Sequence, residues 1–487
     1  MDHPNTPHRL RLSAAVAERL RVHHLAPGKH VESLSVLLGH SHVAPDGSLT
    51  IVVAEPDDVL LFAPDCFRLR AAGAVVLHDG IAAQINHRMV AGGYTSRVVT
   101  HDHHFAQQAR FSGIDDRGDL ADARNDALAI SRLMPPGKRP VTASLLLAQS
   151  EWAARVIHGA NPEQRFSPMR IDAIGGHYQC LSRPRQPALA HAQHLRHEGV
   201  ISLATQQQMR HFRLAIVGLG GLGSIAAEAA ARMGFKHLTL IDADHVEASN
   251  LNRLQGVGMA DVGRLKVDVL AERLCALFPD LQVHAVAAEV FGQDAQKALE
   301  QADGMLGCVD NEETRWWLNR FSVQYMLPWW DAGVLIETDP ALVTYSRVSA
   351  VLPGAGPCGH CSPIRFFDRQ VPQRFLDADT RTAMRSAGYV QGASRAADGD
   401  PSIYPLNMQA VSAMMGALLE WLEPGRAVLQ NLYQRSDRPR IERVEAAAFL
   451  GQRSEDCPLC QGLLGQCRAQ ALPAATALGS ELALGTA

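Results

Sequence analysis

Residues 214–223 read LAIVGLGGLG, and the interpretation of this stretch decides the fold of the carboxyl-terminal half. A short apolar run opens directly into Gly218-x-Gly220-Gly221-x-Gly223, and an alanine-rich helical pattern follows from Ser224 to Arg232. Strand, tight glycine turn and helix N-terminus together make a phosphate site. The glycines let the backbone approach an anion, and the first-turn N–H groups with the helix dipole supply positive potential. Alone, this pattern leaves the nucleotide chemistry open; the residues beyond it decide.

The second strand reads HLTLID and ends at Asp242, where a nicotinamide-binding unit would also place an acid for a ribose. The chain then runs Asp242-Ala-Asp244-His-Val-Glu-Ala-Ser-Asn250-Leu-Asn252-Arg253, followed by Gly263-Arg264-Leu265-Lys266. After a further apolar run it reaches Cys308-Val-Asp310-Asn311-Glu-Glu-Thr-Arg315 and Asn319. Asp242, Arg253, Lys266 and Asp310 stand 11, 13 and 44 residues apart. This ordered set resembles the ubiquitin-activating, E1-like (ThiF/MoeB-type) adenylyltransferase superfamily over roughly residues 190–465. The resemblance implies a Rossmann-like adenylation domain that uses ATP and Mg²⁺. Asp242 would hold the ribose, Asn250, Arg253 and Lys266 the phosphates, and Asp310, followed by Asn311, the Mg²⁺. The chain departs from the family pattern after the motif arginine, where Leu254 precedes Gln255.

Attack of a carboxylate on the α-phosphorus of ATP brings anions together, so guanidinium, ammonium and a metal ion are needed to offset the developing charge. Singly, Asp242 and Asp310 read as ordinary caps and Arg253 and Lys266 as solvated surface charges. The ordered set is what points to ATP. A nicotinamide-dependent oxidoreductase is the alternative from another class, and it leaves Asn250, Arg253 and Lys266 unexplained. A zinc-bound scaffold with a dead pocket is the non-catalytic one.

Nine cysteines include two pairs with metal-ligand spacing, Cys358-Gly-His-Cys361 and Cys457-Pro-Leu-Cys460. Two such knuckles make a Cys₄ tetrahedral zinc site, structural because four thiolates leave no open position. An odd cysteine count argues against a disulfide framework, and His360 reads as a bystander. E1-like relatives often carry a nucleophilic cysteine between the knuckles, but none lies between Cys361 and Cys457. The expectation is adenylation without the enzyme's own thioester, with the hydroxyls of Ser394 and Ser402 as weak replacements. Cys308 and Cys275 are expected to be buried, and Cys180 and Cys467 to lie in flexible-looking segments.

Residues 98–116 read VVTHDHHFAQQARFSGIDD. His101-x-His103 followed by Ser112-x-x-Asp115 resembles the JAB/MPN (JAMM) metalloprotease motif, one residue out of register. Glu32-Ser-Leu-Ser-Val-Leu-Leu-Gly39 supplies the upstream glutamate. The resemblance implies that His101, His103 and Asp115 hold a catalytic Zn²⁺, with Glu32 as general base and Ser112 helping the oxyanion. Three protein ligands leave the metal a position for water. The bland alternative is a histidine-rich loop, since the chain has 22 His, and His40-Ser-His42 is a decoy of that kind.

At 487 residues, two to three domains are expected. The division is an α/β JAB/MPN-like domain over 1–160, a linker over 161–190, the adenylation domain over 191–465 and a tail over 466–487. Helix is expected at 13–21 and 405–422, and strands at 33–38, 49–53, 59–62 and 97–100, with 143–149 a strand or short helix. The loop over 362–400 reads as a mobile crossover. Net charge is −4, with no concentrated Lys/Arg run, so nucleic acid and anionic membrane are not implied partners. The amino terminus lacks a hydrophobic signal core, and cytoplasmic residence is expected.

Adenylation and isopeptidase-like motifs on one chain share one natural substrate, a small ubiquitin-like or sulfur-carrier protein ending in Gly-Gly. An E2-like protein or a sulfurtransferase would be a further partner, and a homodimer is expected. Sulfur-carrier activation for cofactor or cysteine biosynthesis, without protein conjugation, is the competing use of the same sites.

Overall fold

A computed structural model describes residues 8–28, 31–71, 74–103, 106–130, 140–158, 165–182, 196–197, 199–338, 340–362, 401–437, 441–445 and 452–467. Residues 363–400 of the expected crossover loop, Ser394 among them, and nearly all of the expected tail lie outside the described residues. The chain divides into two compact units, one made of Met1–Pro187 with Gly465–Cys467 and the other centred on Ala188–Leu464.

The first unit begins with β1 (His8–Ser13), α1 (Ala14–His24), β2 (Leu34–Val43), β3 (Leu49–Val53), β4 (Val59–Leu61) and the hairpin β5 (Phe67–Ala71) and β6 (Ala74–Leu77). It continues through α2 (Asp79–Ala91), β7 (Ser96–Asp102), α3 (Gly113–Ala129), β8 (Val141–Leu147), β9 (Trp152–Ile157), β10 (Phe166–Ile174) and the short β11 (Gln179–Cys180). The sheet runs β1-β3-β2-β7-β8-β9-β10, and β10 also pairs with β1, so the path closes on itself. Closure removes the exposed edges that an open sheet must protect.

Alternation along the strands then sorts side chains to two sides. Leu37 of β2 joins Leu10, Leu12, Ile51, Val98, Leu145 and Ile171 in one cluster, with Val16 and Leu20 of α1 packed against them. Val36 and Leu38 join Ile85 and Met89 of α2 in another. Ser13 caps α1, its Oγ accepting from Val16 N–H at 3.2 Å, a contribution of about 1 kcal/mol.

The expected linker is corrected here: residues 166–174 form a central strand, not a connection. Met169, Ile171 and Ala173 alternate inward while Arg170 hydrogen-bonds Asp172, a period of two hidden by Pro, Gln and Arg nearby. Pro168 is tolerated because pairing with β1 begins only at Met169.

The second unit holds α4 (Leu203–His211), β12 (Arg213–Val217), α5 (Gly221–Met233), β13 (His237–Ile241), α6 (Lys266–Leu277), β14 (Gln282–Val286), α7 (Gln293–Glu300), β15 (Gly304–Gly307), α8 (Glu312–Tyr325) and β16 (Trp329–Glu337). β17 (Val343–Val351), α9 (Tyr404–Leu422), β18 (Leu429–Arg435), β19 (Ile441–Glu445) and the short α10 (Pro458–Gly462) complete it. Its sheet runs β14-β13-β12-β15-β16-β17-β18-β19. The pairs from β14 through β16 are parallel and those from β16 through β19 antiparallel.

The chain enters at β12, winds outward to β14, then crosses to β15, so the topological switch point lies at the carboxyl ends of β12 and β15. Trp316, Trp317, Trp329 and Trp330 are all buried. The apolar face of α9 is buried at Val411, Met414, Met415 and Leu418, whereas Met408 is exposed. Cys308 is buried as expected, but Cys275 is exposed, lying one step past the buried Leu274 on α6. Cys180 belongs to β11 and Cys467 is buried, so neither sits in a loose segment. Among the described residues, no helix is long and apolar enough to cross a membrane.

Candidate functional site

The glycine turn lies at the switch point. Gly218 has φ +84°, and a Cβ there would stand 2.7 Å from the Cys308 carbonyl oxygen. At Gly223 a Cβ would overlap the carbonyl oxygen of Gly218, so any side chain would force the turn open. α5 starts at Gly221 behind the N-cap Gly220, and no side chain caps it. Its first-turn N–H groups therefore face outward for an external acceptor. The space that a Cβ on Gly220 would enter is empty for 4 Å.

Asp242 follows β13 and grips this turn from the side. Its Oδ2 accepts the Leu219 N–H at 2.6 Å and its Oδ1 the Asp244 N–H at 2.7 Å. Burial pushes its carboxyl upward, against the opposing pull of Lys266 and the two backbone donors. Lys266 opens α6, is buried, and its ammonium lies 2.9 Å from Asp244 Oδ2. Asn250 is buried in the loop between β13 and α6. Arg253 in the same loop donates from Nη1 to the Ser249 carbonyl at 3.0 Å, and its Cβ lies beside Gly221. Asp310 is exposed three residues beyond β15. Asn311 caps α8, its Oδ1 accepting from Thr314 N–H at 2.8 Å while its Nδ2 donates to Asp310 Oδ1 at 3.3 Å. The turn, Asp242 and Asp310 thus follow the carboxyl ends of adjacent strands.

Around this site the sequence reading missed Asn407 and Arg347 and gave Arg315 and Gln255 no role. Asn407, buried in the first turn of α9, covers Gly221 so closely that a Cβ there would strike its Nδ2, and Asn407 Nδ2 donates to Ser402 Oγ at 3.2 Å. Arg315 spans from Asp331 (3.2 Å) to the Val309 carbonyl, which precedes Asp310, and Arg347 meets the same Asp331 at 2.9 Å. Gln255, one place beyond the family position, turns back to Glu228 Oε2 at 3.0 Å and to the Tyr404 hydroxyl. Arg315 and Gln255 stand within the motif stretches read from the sequence, whereas Asn407 and Arg347 carry no local signal.

The two knuckles meet. Cys358 Sγ lies 3.8 Å from Cys361 Sγ and 3.7 Å from Cys457 Sγ, and Cys361 Sγ lies 3.6 Å from Cys460 Sγ. Four sulfurs about 2.3 Å from one tetrahedral ion would be separated by about 3.8 Å, whereas a disulfide needs about 2.05 Å. The donor set therefore fits a closed Zn²⁺ site. The Gly359 N–H donates to Asn319 Oδ1 at 2.7 Å, tying the first knuckle to α8.

In the first unit, His101 and His103 stand at the carboxyl end of β7 and Asp115 in the first turn of α3. His101 Nε2 lies 3.2 Å from Asp115 Oδ1 and His103 Nε2 3.8 Å from Asp115 Oδ2, with all three donor atoms within 4.8 Å of one another. Burial would raise the Asp115 carboxyl, but His101 and the Ser112 N–H outweigh it and hold the group well below the usual carboxylate range.

Ser112 Oγ accepts from Ile114 N–H (3.2 Å) and Asp115 N–H (3.3 Å), so its own proton points elsewhere. Glu32 lies two residues before Leu34, which pairs with His101. His40 stacks on Tyr94 and His42 pairs with Thr50 on β3, away from the metal-type cluster. Two nitrogens and an oxygen fit Zn²⁺ with a position to spare.

The ThiF family profile matches residues 191–459. The Escherichia coli (strain K12) sulfur carrier protein ThiS adenylyltransferase is 38% identical over 128 residues, 26% of this chain and 51% of its own. The Dictyostelium discoideum ubiquitin-like modifier-activating enzyme 5 is 30% identical over 182 residues, 35% of this chain and 46% of its own. The chain thus spans about half the length of these curated relatives. Among solved structures, Escherichia coli MccB with MccA-N7isoASN aligns at a TM-score of 0.41 and 18% identity, over 53% of this chain and 69% of that one. With its glycine turn at the switch point of a Rossmann-like sheet and its profile match across more than half its length, the chain belongs to the ThiF family.

Proposed function

We propose that the second unit adenylates the C-terminal glycine carboxylate of a small ubiquitin-like or sulfur-carrier protein ending in Gly-Gly. The carboxylate oxygen bonds to the α-phosphorus of ATP, the bond from that phosphorus to the bridging oxygen breaks, and diphosphate leaves. The observation that carries this reading is the convergence of an uncapped helix N-terminus with Asp242, Arg253 and Lys266 around one glycine turn. Asp242 orients the ribose, while Asn250, Arg253 and Lys266 bind the phosphates and offset charge that grows as diphosphate departs. Asp310, beside Asn311, holds Mg²⁺, which when bound neutralises phosphate oxygens. The Cys₄ cluster holds a structural zinc that pins two segments 99 residues apart. The absence of any cysteine from 362 to 456 favours release of the acyl-adenylate to a separate acceptor. That acceptor is an E2-like protein or a sulfurtransferase, in keeping with relatives named for a sulfur carrier and for a ubiquitin-like modifier.

The first unit, in this reading, is a JAB/MPN-like zinc peptidase that trims the carrier or cuts its conjugates. His101, His103 and Asp115 hold the zinc, which supplies Lewis acidity to hydrolysis. Glu32 takes a proton from the attacking water and returns it to the leaving amine. Ser112, its oxygen already accepting two N–H groups, donates its proton to the developing oxyanion. We place the protein in the cytoplasm as a homodimer, where ATP and reduced thiolates coexist.

The test is ATP–diphosphate exchange by the purified chain with a Gly-Gly-ended carrier. Asp310→Ala and Arg253→Ala are each expected to lose on the order of 100-fold or more. Exchange within a few-fold of wild type in either variant would sink the assignment, and nicotinamide-dinucleotide binding without exchange would replace it with redox chemistry.

A further inference from the structure

His24, Ser35 and Asp102 meet with no solvent exposure at all, Asp102 from 78 residues beyond His24. His24 Nδ1 lies 2.9 Å from Asp102 Oδ1, and His24 Nε2 lies 2.8 Å from Ser35 Oγ. Hydroxyl, imidazole and carboxylate stand in the order of a nucleophile triad. A hydroxyl sealed from solvent meets no substrate, so that function is excluded here.

The trio instead adjoins the metal-type cluster along the chain through Asp102. Asp102 is the residue between His101 and His103. Successive side chains on a strand point to opposite faces, so a carboxylate fixed on one face sets the aim of the two imidazoles on the other. The same Asp102 Oδ1 accepts the Ser33 backbone N–H at 2.8 Å, and Ser33 directly follows Glu32. One buried carboxylate thus joins the ligand strand, the segment of the candidate base and the last residue of α1. A carboxylate with no exposure is costly unless it is paired and hydrogen-bonded, and it is both.

We infer that Asp102 and His24 are positioning residues that hold His101 and His103 in register with Glu32. The inference rests on reading His101, His103 and Asp115 as zinc ligands.

Zinc affinity of the full chain, measured by competition with a chromophoric chelator, tests it. Wild type is expected to bind two equivalents, the tighter at the cysteines. Asp102→Ala should weaken the second equivalent on the order of 10–100-fold, the range for groups that orient metal ligands, and leave the first unchanged. Asp102→Asn keeps an acceptor oxygen toward Ser33 and His24 and should recover most of the loss, which general destabilisation would not predict. Folded Asp102→Ala with wild-type affinity for the second zinc overturns the inference and leaves the ligand reading standing. Should Asp102→Ala fail to fold, His24→Gln carries the test: about 10-fold weaker second-site binding is expected, and no change overturns the inference. If wild type binds one zinc only, the ligand reading itself falls.

Discussion

The four cysteines and the His101–His103–Asp115 group are both metal-type clusters, and they differ in every property that separates a closed site from an open one. The first offers four soft sulfurs, three of them from buried residues, on segments 99 residues apart. The second offers two nitrogens and an oxygen, half-buried, at the end of one strand and the start of the next helix. Four ligands complete a tetrahedron and leave nothing for substrate; three leave a position to react. Ligand number and burial, more than the identity of the ion, separate a staple from a reaction centre.

If so, breaking the closed cluster should cost the most. Structural zinc contributes about 10–16 kcal/mol of apparent binding energy in small peptides, where binding and folding are one event. In a unit with its own core, part of that remains, and we expect Cys358→Ser or Cys460→Ser to lower the unfolding midpoint by about 10 °C or more. Calorimetry with metal analysis on the same samples measures this. A midpoint within a few degrees of wild type, with zinc content unchanged, would mean the cysteines are packing groups and the contrast is empty.

The open cluster should give the opposite signature. His101→Ala is expected to remove one zinc per chain and abolish peptide cleavage, while shifting the midpoint by no more than about 2–4 °C, worth ~1 kcal/mol. Dipicolinate should strip the same equivalent from wild type and spare the cysteine-held one, because an ion with an exposed position is open to attack by a competing ligand. Removal of both ions together, or a collapse of the fold in His101→Ala, would erase the distinction between the two sites.

The two clusters were also unequally legible in the sequence. Cys-x-x-Cys spacing is a local pattern, and Cys358, Cys361, Cys457 and Cys460 could be paired from it before any fold was known. The glycine turn and Asp242 were similarly readable, because strand, turn and helix follow one another directly. His101, His103 and Asp115 were nameable despite the extra residue before Ser112, since α3 still places Asp115 against the imidazoles. What stayed hidden was nonlocal or disguised. β10 carries Pro168 and Arg170, and its role appears only when β1 and β9 lie on either side. Asn407 reaches Gly221 from 186 residues away, and His24 reaches Asp102 across 78. No spacing rule links such residues; packing alone does.

The smallest effect tests whether the open cluster is formed before metal arrives. In the metal-free protein Asp115 is held below the usual carboxylate range despite its burial, chiefly by the His101 imidazole and the Ser112 N–H. A carboxyl depressed on folding contributes stability that is complete above its unfolded value, ~3.9, and is lost as pH falls through the folded value. The midpoint of zinc-free wild type should therefore exceed that of zinc-free Asp115→Asn by a modest margin at about pH 5. The pair sits near solvent, which limits the margin to under about 1 kcal/mol. The two curves should converge as pH drops below about 4. Curves that already coincide at about pH 5 would show that the imidazoles and carboxylate assemble only around the ion. That result would leave the cysteine cluster, its first knuckle tied through Gly359 to α8, as the one metal-type site among the described residues that the fold builds in advance.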